Sequence, residues 1–118
     1  MRTRIVPQAR WREILDSLTR VYEGSTASLE VLDPELGAQY EIEEQPFRGI
    51  TYDASGIGID FTTKDGAHLW HRIPDPKQLE VEEGDDGLVA AFLIQAERRN
   101  VLRLHSPIAS KLLPPASE

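Results

Sequence analysis

The apolar pattern changes period once, at Gly24, and this limits the chain to one helix followed by strands. Before it, Trp11, Ile14, Leu15, Leu18, Val21 and Tyr22 form a single helical stripe, with offsets of three, four, seven, ten and eleven from the first. Arg12, Glu13, Asp16, Ser17 and Arg20 fill the opposite side. Pro7 suits a first helical turn and Gly24 a C-terminal cap, so the spacing predicts a helix over 7–23.

Beyond Gly24 the period is two. Ala27, Leu29 and Val31 alternate with polar residues, the run 33–37 reads as a turn, and Ala38, Tyr40 and Ile42 alternate on the return. Pro46 interrupts. Phe47 to Tyr52 then reads as a short strand kinked at Gly49, and Ile57, Ile59 and Phe61 as the next. Lys64-Asp65-Gly66 predicts a tight turn into a strand over 67–73. Pro74-Asp75-Pro76 stops it, because proline cannot donate to a ladder. Leu79 and Val81, the apolar run 88–95 and the return 101–105 complete about eight short strands after the helix.

Short turns between consecutive strands favour antiparallel pairing. The helical stripe needs an apolar partner, and an open eight-stranded sheet would expose two edges. The expected fold is therefore α+β and mostly β, with the N-terminal helix packed on a curled antiparallel meander or small barrel. With 118 residues, the chain fits one domain over 1–107 and a C-terminal tail over 108–118 that is partly mobile.

Composition excludes several functions. The absence of cysteine removes disulfides, thiolate nucleophiles and zinc–cysteine sites. The net charge is −7 and the basic residues are scattered, with one tight pair at Arg98–Arg99, so no nucleic-acid partner is expected. No apolar h-region follows the N-terminal charges and no run approaches the ~20 residues of a membrane span, so a cytoplasmic location is expected.

Three segments could carry chemistry. In His68-Leu69-Trp70-His71 the odd spacing puts the two histidines on opposite faces of a strand. Leu69, His71 and Ile73 then face the core, where His71 is expected to be sealed and hydrogen-bonded, while His68, Trp70 and Arg72 face outward. Glu80 and Glu82 share one face of the next strand, and the acidic run continues to Glu83, Asp85 and Asp86. If the strands flanking Pro74-Asp75-Pro76 form a hairpin, these glutamates lie near His68 and Arg72. The expected reading is a solvated cross-strand charge ladder. Asp53-Ala54-Ser55-Gly56-Ile57-Gly58 enters a strand rather than a helix, so it lacks the context of a phosphate loop. It reads as a turn, with Gly58 allowing close backbone approach.

Residues Pro7, Trp11 and Leu15-Asp16, then Leu29-Glu30-Val31-Leu32, Gly37-Ala38-Gln39 and Gly49-Ile50, form a recognisable series. His68-Leu69-Trp70-His71-Arg72-Ile73-Pro74 and Leu102-Arg103-Leu104 extend it. Together they resemble a family of short prokaryotic proteins catalogued as a domain of unknown function, from about Ile5 to Pro107. The resemblance implies one complete domain and supplies no reaction.

The expectation is a non-enzymatic binding, regulatory or self-associating domain. Its partner is a protein or another copy, and its contact residues are Trp70, His68, Arg72, Glu80 and Glu82. No catalytic residue, metal ligand or cofactor is assigned. The alternative is a small-ligand or metal-dependent enzyme using His68 and His71 with Glu80 and Glu82.

Overall fold

A computed structural model describes residues 2–85 and 88–109, with side chains as far as His105. Strand β1 (Arg2–Val6) leads through a 3-10 turn at Gln8–Arg10 into helix α1 (Trp11–Tyr22). Seven strands follow: β2 (Thr26–Asp33), β3 (Gly37–Asp53), β4 (Gly56–Thr62), β5 (His68–Ile73), β6 (Gln78–Glu83), β7 (Leu88–Gln95) and β8 (Arg99–Ala109). They form one antiparallel sheet in the order β1-β6-β7-β8-β2-β3-β4-β5. The mostly β architecture with one N-terminal helix is as expected, and the sheet does not close.

Its curl follows from one short connection. Residues 74–77 join β5, the last strand of the sheet, to β6, the second. Five Cα steps reach at most about 18 Å. Six strand spacings in a flat sheet would need about 29 Å. The sheet must therefore bend back on itself, and α1 fills the concave side. Trp11, Ile14, Leu15, Leu18 and Tyr22 are buried there among Phe47, Ile50, Phe61, Phe92 and Leu102. Val21, expected in the stripe, is exposed, whereas Ser17 is buried and accepts a hydrogen bond from Arg20. The Thr19 hydroxyl accepts from the Ile50 amide at 2.9 Å, tying the helix to β3.

Three elements differ from expectation. One of the eight strands, β1, precedes the helix. Its inward side alternates Arg2, Arg4 and Val6, which hides the apolar period because this end of the strand meets a buried carboxylate rather than the core. Second, β3 runs through Pro46 as a single strand. The ladder changes partner there, from β2 through Pro46 to β4 from Phe47 onward, so proline's missing donor falls at a changeover. The irregular backbone is satisfied locally: Glu44 (φ 50°) donates its amide to the Ser28 hydroxyl, and Phe47 donates to the Ser25 carbonyl. Third, β8 runs from Arg99 to Ala109, longer at both ends than the return strand expected over 101–105. The rest of the predicted tail lies outside the described residues.

Candidate functional site

The antiparallel ladder between β4 and β5 runs without a register shift from Ile57↔Ile73 to Thr62↔His68. As an end strand, β5 pairs on one side only. Among the described residues no other backbone group bonds to it. Alternate N–H and C=O groups along His68–Ile73 therefore face outward unpaired.

The outer face of β5 carries His68, Trp70 and Arg72, as the odd–even spacing requires. Trp70 is 56% exposed, and its Nε1 edge lies across Gly58, 3.1 Å from where a Cβ would stand. Gly58 thus makes room for the indole. The close backbone approach expected of it belongs to Gly56, where a Cβ would meet the Ile73 carbonyl oxygen. His68 Nε2 lies 2.8 Å from Asp60 Oδ1, and Arg72 donates to the Ser55 carbonyl. The turn before β4 is closed by its own side chains. The Ser55 hydroxyl (2.6 Å) and amide (2.8 Å) both donate to Asp53 Oδ1. The hydroxyl first, then the amide, hold the Asp53 carboxyl below the usual carboxylate range.

His71 is on the inner face but is not sealed. It is half-buried at the open seam and makes no hydrogen bond among the described residues. With Ile73, Pro74, Ala96 and Asn100 it borders a hollow of about 80 Å³ between the end of β5 and the β7–β8 turn. The expectation of a sealed, hydrogen-bonded core histidine fails because the sheet stays open beside β5. His68 and His71 point to opposite faces and do not converge.

Glu80 and Glu82 lie elsewhere, because β5 and β6 form no hairpin. On the outer face of β6, Glu80 faces Arg99 at 3.9 Å. Glu82 faces Arg103 at 3.7 Å, and Arg103 also reaches Glu30 at 3.5 Å. This charge ladder roofs a small apolar strip of Ala91, Leu93 and Val101. The arginine stems cover the strip while their heads stay wet.

Two polar clusters escaped the sequence reading. Glu83 is 1% exposed and is held by Arg2 at 3.0 Å and Arg4 at 3.1 Å. The period from Leu79 and Val81 puts it inward, so that alternation could have separated it from the acidic run. Its partners, about 80 residues earlier in the chain, could not be read locally. Ser28 Oγ lies 2.8 Å from His105 Nε2, the contact of a nucleophile and its base. Ser28 is however 1% exposed and already accepts the Glu44 amide, so the pair pins the irregular β2–β3 ladder. Among the described residues no group of three or more histidine or carboxylate side chains could hold a metal ion, and no helix is long and apolar enough to cross a membrane.

The model of a family of unknown function, DUF5335, matches residues 2–113. An uncharacterized protein from Aquifex aeolicus (strain VF5) is 29% identical over 109 residues, covering 92% of this chain and 96% of its own length. No solved structure matches.

Proposed function

Because the chain belongs to this family of unknown function, its role must be read from its own surface, and we propose a non-enzymatic protein-binding domain whose contact element is the free edge of β5. The carrying observation is the contrast between its free edges. Edge strands template the addition of another strand, and proteins blunt them with charges and bulges. On β1 the ladder has five residues, with Arg2 and Arg4 turned inward onto Glu83 and Ile5 exposed on the outer side. The first half of β3, which β4 does not cover, carries Glu41, Glu43 and Glu44 and two register shifts. Among the described residues only β5 combines a regular six-residue ladder, no proline and an exposed tryptophan, a residue type enriched at binding hot spots.

The enzymatic alternative draws no support from this geometry. His68 and His71 stand on opposite faces, while Arg99 and Arg103 engage Glu80 and Glu82.

The test is selection of random displayed peptides on immobilised protein, wild type against Trp70→Lys. Trp70 is exposed, so the variant should fold. Peptides enriched on wild type and lost on the variant are expected. Equal enrichment on both, or none on wild type, would refute the proposal.

A further inference from the structure

We infer that the hollow between the end of β5 and the β7–β8 turn binds a small hydroxycarboxylate, a monoanion with one carboxylate and one hydroxyl. Such a site needs no strand added to β5, and its test is separate from that of the contact edge.

The hollow measures about 80 Å³. One water needs about 10–15 Å³, so the space takes a small molecule rather than a single bridging water. Its frame is tied by hydrogen bonds. The Lys77 amide donates to the Gln95 carbonyl at 2.7 Å, which joins the link after β5 to the end of β7. The Arg98 carbonyl accepts from the Ala96 amide and from Asn100 Nδ2, both at 3.1 Å, which closes the β7–β8 turn.

Three polar groups on the wall are not used by the fold. The Arg98 guanidinium makes no hydrogen bond or ion pair among the described residues, and neither does the His71 ring. The Asp33 carboxyl feels Arg98 less than it feels the Glu35 and Leu36 amides it accepts. Asn100 is 5% exposed and gives Nδ2 to the Ile94 and Arg98 carbonyls, while its Oδ1 accepts nothing among the described residues and is not sealed from solvent. Polar atoms of a side chain this buried are ordinarily satisfied, so the open acceptor has room for a donor. A guanidinium and an imidazole N–H suit a carboxylate, and the Asn100 oxygen suits a hydroxyl. Ile73, Pro74 and Ala96 supply an apolar wall for the ligand's carbons.

Charge sets the valence. Arg72, which donates to the Ser55 carbonyl, and Arg98 border the hollow together with Glu97. With His71 neutral, one guanidinium is left unbalanced. That balance accepts one negative charge and disfavours a doubly charged phosphate.

The test is NMR titration of the whole chain with lactate, read at the Ala96 and Asn100 amides and the His71 ring. The ligand is small and the hollow open to solvent, so a dissociation constant on the order of 1 mM is expected. Saturable shifts should appear at all three residues, and Arg98→Gln should raise the constant by about fivefold or more. The Arg98 side chain is exposed and holds nothing, so the variant should fold, and an unchanged spectrum elsewhere checks this. No saturation up to about 20 mM, or an unchanged constant in Arg98→Gln, would overturn the site. Equal shifts with propionate would remove the hydroxyl contact, and equal shifts with inorganic phosphate would reduce the hollow to nonspecific anion attraction. Either result overturns the ligand class.

Discussion

Gly56 and Gly58 stand two residues apart on β4, yet replacing each by alanine should have opposite consequences. Gly56 has φ +120°, where side chains other than glycine's are strained, and its added Cβ would strike the Ile73 carbonyl oxygen with Pro74 Cα at 3.1 Å. All of these are backbone atoms, which cannot yield without opening the end of the β4–β5 ladder. The conformation costs about 1–3 kcal/mol and the overpacking about 1–3 kcal/mol, so Gly56→Ala should lose about 4 kcal/mol. Gly58 has ordinary backbone angles, and its nearest contact is the far end of the exposed Trp70 side chain. Reducing the freedom of the unfolded chain gains about 0.4–1 kcal/mol, and the displaced indole gives part of that back. The net change should lie between zero and about 0.5 kcal/mol of stabilisation. With a urea m-value of about 2 kcal/mol/M, Gly56→Ala should lower the unfolding midpoint by about 2 M and Gly58→Ala should move it by less than about 0.3 M. Gly58→Ala should nevertheless weaken Trp70-dependent peptide binding, because the indole no longer rests in place. Equal midpoint shifts for the two variants would refute the placement of Trp70 over Gly58.

Other perturbations test the frame of the site. Phe47, fully buried between Tyr22 and Phe61 with ring centroids 5.9 Å from each, anchors the strand where the ladder changes partner. Phe47→Ala should cost about 4 kcal/mol and lower the calorimetric midpoint by more than 10 °C, and a loss below about 1 kcal/mol would contradict this packing. Glu83→Gln should cost about 2 kcal/mol, since Arg2 and Arg4 lose a charged acceptor but are not themselves sealed. Hydrogen exchange should speed up selectively in β1, and unchanged protection there would show that the ion pairs do not hold the strand. The carboxyls of Asp33, Asp53 and Asp65 should titrate below the usual range by NMR. The first accepts the Glu35 and Leu36 amides, the second the Ser55 hydroxyl and amide, and the third chiefly the Thr63 hydroxyl. Because these values are lowered by folding, their contribution to stability is present above the unfolded pKa of about 3.9 and is lost as pH falls through the native values. An ordinary or raised value at any of the three would overturn its hydrogen-bond assignment.

Much of the local structure follows from sequence alone. The stripe from Trp11 to Tyr22 defines the helix, and the turn at Lys64–Gly66 and the stop at Pro74 bound β5. Alternation assigns His68, Trp70 and Arg72 to one face and Leu69, His71 and Ile73 to the other. These are consequences of backbone geometry within a few residues. Which strand lies beside which was decided in three dimensions. A period of two states which way a side chain points and not what it meets, so nothing near residue 46 announced a change of ladder partner. Likewise, nothing near Pro74 announced that β5 and β6 would part. That parting separated Glu80 and Glu82 from His68, left His71 at an open seam, and made β5 an edge. The arginines that hold Glu83 and the glycine that seats Trp70 are cross-strand partners. They became legible only when burial of the helix stripe against a sheet bent by a four-residue link set the strand order.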